Sequence, residues 1–247
     1  MNTLARQALA CLDLTRLDDG CTEADVDALC ARARTPAGPV AAVCVWPRFV
    51  ARARARLPRD IRVAAVANFP LGGTDVPAVV AEIARIVADG GDEVDVVLPW
   101  RALMAGDTAT CSGVLAAARR AAGPLCLKVI LETGELATPA RIAAASRLAL
   151  AEGADFLKTS TGRVPVGATP EAAAVMLAEI AAAPEARHRV GFKASGGVRT
   201  LADAAGYLRQ VGDALGPEAV APARCRLGAS ALLDELLAAC QSDGRSN

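Results

Sequence analysis

Three lysines stand where chemistry is more plausible than solubility: Lys128 in LCLKVILE, Lys158 in DFLKTSTG and Lys193 in VGFKASGG. They are the only lysines among 27 basic residues, the other 24 being arginine. Each lies inside or at the end of a short apolar run with the character of a β-strand. Arginine stays protonated in proteins, whereas a lysine that is buried or set beside another cation can lose its proton and become a nucleophile. A free lysine, with a pKa of about 10.4, is neutral in only roughly 0.04% of molecules at pH 7, and a drop of about three units frees roughly a quarter of the amine. Such an amine attacks an aldehyde or ketone. The iminium that results is an electron sink beside which a carbon–carbon bond can be broken or formed.

Two aspartates belong with the lysines. Asp95 lies in EVDVV, where strand alternation puts Glu93, Asp95 and Val97 on one face; Asp13 lies in LDLT. Five ionisable groups aimed at random into an apolar core would each cost several kcal/mol, whereas grouped in one polar pocket they compensate each other. Asp95 could then shuttle protons directly or through a water. The plainer reading of an isolated strand-end lysine is a partner for an acid. For Lys128, a buried supporting cation that tunes the local field is the favoured reading, and Asp13 could be a turn residue. Glycine-rich segments follow the late strands at Thr161-Gly162, Gly196-Gly197 and Gly228-Ala229-Ser230. Backbone N–H groups in such loops, with a helix N-terminus behind them, suit an anion such as phosphate, and Arg163 or Arg199 could add charge.

The elements that must position these groups alternate along the chain. Strands are expected near 9–14, 40–45, 61–67, 92–98, 125–131, 155–160, 189–194 and 224–228. Helices are expected near 23–34, 47–56, 76–89, 108–122, 138–152, 170–183, 200–214 and 230–240. Thr22-Glu23, Thr138-Pro139 and Thr169-Pro170 supply helix starts, and Gly90, Gly123 and Gly153 supply helix ends. Eight strand–helix units predict a (β/α)8 TIM barrel over residues 1–247 as a single domain, with functional groups at the C-terminal ends of the strands. A doubly wound sheet is disfavoured, since no G-x-G-x-x-G follows the first strand and there is no P-loop. Residues 241–247 are expected to be a flexible tail.

Composition removes several function classes. The hydrophobic fraction is 53%, the net charge is zero and aromatics make up 3%. No basic footprint or stacking platform points to nucleic acid, and no long apolar run or signal peptide is expected, which argues against a membrane partner. Eight cysteines without a C-x-x-C, and His188 as the only histidine, argue for reduced buried thiols and against a metal site.

Taken in order, LDLTRL, VCVWPRF, NFPLG, DEVDVVLPWRALMAG, LKVILETGEL, GADFLKTSTG, VGFKASGGVRT and LGAS resemble the deoxyribose-phosphate aldolases, class I aldolases with a (β/α)8 fold. The resemblance spans almost the whole chain, and DFLKTSTG with VGFKASGGVRT is its most specific part. It implies Lys158 as the Schiff-base lysine, Lys193 as the second lysine that lowers its pKa and joins proton transfer, and Asp95 as the proton shuttle. It places phosphate contacts at Gly162, Gly197, Val198, Gly228 and Ser230, and pocket positions at Asp13 and Cys44. Thr161, Arg163 and Gly196 complete the expected substrate-binding set. The implied reaction is reversible cleavage of 2-deoxy-D-ribose 5-phosphate to D-glyceraldehyde 3-phosphate and acetaldehyde in deoxynucleoside catabolism. No metal or other cofactor is expected, because the iminium is the electron sink. A cytoplasmic homodimer is implied. The chain departs from the family pattern at Ala231, where some relatives carry a second serine, at Arg163, where lysine is frequent, and in a tail that lacks tyrosine. Two rivals stay open: a Schiff-base barrel aldolase for another sugar phosphate, and a barrel that only binds a phosphometabolite.

Overall fold

A strand buried on both faces needs a nearly continuous apolar run, and eight such runs close into one parallel barrel. The computed structural model describes residues 3–242. The barrel strands are β1 (Leu12–Thr15), β2 (Ala42–Val45), β3 (Arg62–Ala67), β4 (Glu93–Val97), β5 (Cys126–Ile130), β6 (Phe156–Lys158), β7 (Gly191–Ser195) and β8 (Cys225–Ala229). Each pairs with the next, and β8 pairs with β1. Helices between the strands cover the outside, so the expected (β/α)8 architecture is the observed one.

The main core lies between barrel and helices, where outward strand residues such as Val43, Val63, Val94, Val129 and Phe192 meet helix residues such as Ile83, Leu115, Met176 and Leu208. Inside the barrel the apolar content is small. Cys44, Ala64 and Val66 form a separate cluster against Leu17, Trp46 and Phe69. Buried charged residues on β1, β4, β5, β6, β7 and β8 share that interior.

Helix starts follow their caps. Thr22, Thr138 and Thr169 accept from backbone N–H groups in the first turn as expected, and Asp75, Asp107 and Thr200 do the same at three further helices. Capping of this kind is worth about 1 kcal/mol per helix.

Several boundaries differ from the sequence expectation. The run expected to begin a strand at residue 9 instead ends a helix, Thr3–Ala10, whose Ala5, Ala8 and Leu9 share a buried face. Helix and strand abut there in one apolar stretch, which hides the change of period. The strand expected to reach residue 160 stops at Lys158. Thr159 and Ser160 instead bond to the end of β7: Thr159 Oγ1 donates to Ser195 O at 3.0 Å, and Ser195 Oγ donates to Ser160 O at 2.5 Å. Short helices at Trp100–Met104 and Thr133–Leu136, and a small hairpin pairing Arg34–Thr35 with Gly38–Pro39, were not expected. Of the expected tail, Gln241 and Ser242 close the last helix, Leu232–Ser242, and 243–247 lie outside the described residues.

Two aspartates staple neighbouring strands at the N-terminal end of the barrel. Asp92 Oδ2 accepts from Val63 N and from Arg54, both at 2.8 Å. Asp155 Oδ2 accepts from Leu127 N at 2.9 Å and Arg119 at 2.8 Å, while its Oδ1 accepts from Arg189 at 2.9 Å. Removing such an acceptor strands a half-buried backbone donor and an arginine. Asp155→Ala is expected to lower unfolding free energy by about 2–3 kcal/mol, read from urea denaturation; a loss below about 0.5 kcal/mol would show that the staple carries no load.

Candidate active site

The pleat of β4 turns Glu93 and Asp95 inward, and strand register does the rest. Asp95 stands opposite Lys128, Lys158 opposite Lys193, and Lys193 opposite Arg226. These residues, with Asp13 on β1, are buried to 5% exposure or less.

Their contacts form a closed ring of alternating charge. Asp95 Oδ1 accepts from Lys128 at 2.7 Å. Lys128 reaches Glu93 at 2.6 Å, and Glu93 takes both arms of the Arg226 fork, at 2.6 and 3.0 Å. Arg226 continues to Asp13 Oδ1 at 2.6 Å. Lys193 joins Asp13 Oδ2 at 2.5 Å and returns to Asp95 Oδ2 at 2.8 Å. Lys158 stands outside the ring, donating, among the described residues, only to Asp95 Oδ2 at 2.8 Å. Three carboxylates therefore face four cations, and Lys158 is the cation without a carboxylate of its own.

The titration of each group follows from this arrangement. Burial, helped by the neighbouring Lys193 ammonium, pushes the Lys158 amine below the ordinary lysine value against the pull of Asp95. Burial also works against the Lys193 ammonium, but Asp13 and Asp95 outweigh it and hold that amine above the usual range. Lys128 is raised in the same way, its burial overcome by Asp95, Glu93 and Asp13. For Asp95, burial favours the neutral acid, yet Lys128, Lys158 and Lys193 keep it well below the ordinary carboxylate value. Asp13 and Glu93 are likewise held low by their cations against burial.

Above the ring opens a cleft of about 420 Å³ at the C-terminal ends of the strands. Of the three lysines, only Lys158 lines it. Thr161, Gly162, Arg163, Gly196, Gly197, Val198, Gly228 and Ser230 line it as the sequence suggests. Asp13 lies beneath the cleft as a ring member, and Cys44 lies in the small apolar cluster of the barrel interior, its thiol pushed up by burial. Gly196 and Gly197 have φ of 83° and 91°, values that favour glycine. They bring the β7 loop against the β6 loop, where a Cβ on Gly167 would meet Gly196 O at 2.2 Å. The helices Leu201–Leu215 and Leu232–Ser242 begin just beyond these loops and favour an anion near their N-termini.

Three arginines border the cleft. Arg16 pairs with Asp18 at 2.8 Å and Asp25 at 3.1 Å. Arg163 spans the mouth to Leu17 O and Asp19, its guanidinium 5.9 Å from the rings of both Trp46 and Phe69. Arg199 has no ion pair among the described residues. Tyr207, the only tyrosine, packs beside Phe192 on the outer side of β7.

Sequence reasoning missed Arg226, assigned Glu93 nothing beyond its face, and missed Glu132. Arg226 gave no signal because arginine is the default cation of this chain. Glu132 is buried at φ 59° after β5, and accepts from Thr161 N at 3.1 Å and Thr161 Oγ1 at 2.6 Å. It thereby anchors the loop that carries Gly162 and Arg163. Burial raises its carboxyl above the ordinary value.

Fold and site together define an enzyme of the barrel aldolase class. The chain matches the DeoC/LacD family aldolase model over residues 8–238 and belongs to that family. It is 50% identical over 236 residues to the deoxyribose-phosphate aldolase of Agrobacterium fabrum, covering 94% of this chain and 90% of that relative. Among solved structures, a putative deoxyribose-phosphate aldolase from Coccidioides immitis superposes with a TM-score of 0.82 at 32% identity, covering 94% of this chain and 86% of that one. The apo form of another from Toxoplasma gondii gives 0.87 at 28% identity, covering 97% and 96%.

The lowered carboxylates make an acid-stability prediction. A group whose folded pKa lies below its unfolded value contributes stability that is complete above the unfolded pKa, about 4 for Asp and Glu, and is lost as pH falls through the folded value. Asp13, Glu93 and Asp95 all act in this direction, so urea midpoints should be level near neutrality and drop steeply below about pH 4. Equal midpoints at pH 6 and pH 3 would contradict an ionised interior.

Proposed function

We propose that the protein cleaves 2-deoxy-D-ribose 5-phosphate reversibly to D-glyceraldehyde 3-phosphate and acetaldehyde through a Schiff base on Lys158. The observation that carries this reading is the placement of Lys158 as the one lysine on the cleft, with the one amine pushed down rather than up. The 50% identity to a deoxyribose-phosphate aldolase supports the substrate.

Neutral Lys158 Nζ adds to C1 of the open-chain sugar, and loss of water leaves the iminium. A proton leaves the C3 hydroxyl, the C2–C3 bond breaks and its electron pair moves into the iminium to give an enamine. Glyceraldehyde 3-phosphate departs, the enamine is protonated at C2, and hydrolysis releases acetaldehyde and the free amine. Asp95, acting with a water, is the proton-accepting group of this relay, and the protonated Lys193, 2.8 Å from it, is the donor. Lys193 also keeps positive charge beside Lys158, which favours the neutral amine.

The phosphate lies at the other end of the cleft, in the loops of Gly162, Gly196, Gly197, Val198, Gly228 and Ser230, with Arg199 as its cation. Thr161 and Arg163 border the same end. Lys128 supports the site from the ring and touches no substrate. The small apolar cluster of Cys44, Ala64 and Val66 suits the two carbons of acetaldehyde. No helix among the described residues is long and apolar enough to cross a membrane. The same reading makes the protein a cytoplasmic homodimer, a state that light scattering would report.

Incubation with deoxyribose 5-phosphate or acetaldehyde followed by borohydride should leave a reduced adduct that peptide mass spectrometry places on Lys158; an unmodified Lys158 would overturn the mechanism. Lys193→Leu should keep the fold by circular dichroism and lose at least about 100-fold in kcat. Near-normal turnover in that variant would remove Lys193 from the chemistry.

A further inference from the structure

The ring that surrounds Asp95 is built largely from groups far from the cleft. Glu93 and Arg226 lie at its lower end, where they line a second cavity, about 750 Å³, that opens between the N-terminal ends of the strands. Neither lines the catalytic cleft. Yet Glu93 holds a cation that competes with Lys158 for Asp95, and Arg226 holds the carboxylate that draws on the other competitor, Lys193. Glu93 binds Lys128, which otherwise has Asp95 as its close partner, at 2.6 and 2.7 Å respectively. Arg226 binds Asp13, the second carboxylate of Lys193.

We propose that Glu93 and Arg226 are positioning residues of the aldolase reaction, which set how readily the Lys158 amine is freed for attack by fixing how Asp95 is shared among three ammonium groups. The proposal rests on the Schiff-base reading above and extends it to the opposite end of the barrel. The charged and titratable groups that face Lys158 are Asp95 on β4, Lys193 on β7, Cys44 on β2 and Glu132 after β5, with Lys128 on β5 acting through Asp95. Cys44 is held as a neutral thiol by burial. The remaining freedom lies in Lys128 and Lys193, and those two are governed by Glu93, Asp13 and Arg226.

The arrangement predicts effects of opposite sign. Removing Arg226 takes away one positive charge and leaves Asp13 and Glu93 to be satisfied by the lysines alone. Lys193 and Lys128 are drawn down the ring, Asp95 turns more fully to Lys158, and the ammonium form is favoured. Removing the charge of Glu93 does the reverse: Lys128 is thrown onto Asp95, the interior gains a second excess positive charge, and Lys158 sheds its proton more easily. A residue that merely stabilises the barrel would lower activity in both variants and shift the pH dependence in neither.

The test is the pH dependence of imine formation with acetaldehyde, followed in single turnovers by borohydride trapping on Lys158. Trapping rises with pH as the amine becomes neutral. Arg226→Gln should move the midpoint of this rise upward by about one pH unit, so that imine forms about tenfold more slowly on the acid side. Glu93→Gln should move it downward by a similar amount, and the double variant should return close to the unaltered protein. Cys126→Asp offers the same test without removing a ring member. Cys126 lines the lower cavity and lies close enough to feel Lys128, Glu93 and Arg226. The added anion should shift the midpoint upward, as Arg226→Gln does, even if a single ring variant fails to fold. Midpoints that stay within about 0.2 units in Cys126→Asp and the folded ring variants, or that move in the same direction for Glu93→Gln and Arg226→Gln, would overturn the proposal. Failure of the underlying reading would look different: the unaltered protein would then form no adduct on Lys158 at any pH.

Discussion

Seven ionisable side chains meet inside one barrel, three acids and four bases, and one base is left without an acid of its own. Six of them close into an alternating ring in which every charge touches two opposite neighbours. The seventh, Lys158, is left sharing the most heavily used carboxylate, Asp95. Breaking a buried pair by removing one partner typically costs about 3–5 kcal/mol, so no member of the ring can be removed alone without leaving a buried charge uncompensated. It also fixes the register of the strands, because a slip by one residue would turn Glu93 and Asp95 outward and leave Lys128 facing no acid. Burial in that interior, with the Lys193 ammonium beside it, leaves Lys158 holding its proton least firmly of the three lysines, against the pull of Asp95.

The two ends of the strands carry separate duties. At the C-terminal end, loops with glycine backbone, the Glu132–Thr161 clasp and the bonds among Thr159, Ser160 and Ser195 shape the cleft. At the other end, Asp92 and Asp155 tie strand to strand by accepting backbone N–H groups, and each also holds an arginine from a covering helix. Between them lies the charged layer. Arginine does the work wherever a fork joins two acceptors, as Arg226 does between Asp13 and Glu93, and lysine is kept for places where a single nitrogen must fit among carboxylates or lose a proton.

Much of this was legible from the residues. The lysines stood out because they were scarce and lay in apolar strands, and Asp95 stood out because alternation turned it to the same side as Glu93. The barrel followed from the spacing of eight apolar runs. Arg226 was invisible for the reason that made the lysines visible: one arginine among 24 carries no compositional signal, and only the closing of β8 onto β1 shows that it joins Asp13. Glu132 was hidden because its role depends on a left-handed backbone after β5, which a single sequence does not announce for a glutamate. The helix Thr3–Ala10 was lost because residues 8–12 run without a polar side chain from the end of the helix into the first strand.

The bond between Arg226 and Asp13 joins positions 213 residues apart, near the two ends of the barrel sequence. A chain emerging from synthesis makes Lys158 well before it makes Arg226, and at that stage the lysine is an ordinary protonated side chain in water. The ring closes only when the last strand docks against the first. On the proposed Schiff-base reading, the arrangement that shares Asp95 among three lysines is complete only in the finished barrel, so the full reactivity of Lys158 awaits the last strand.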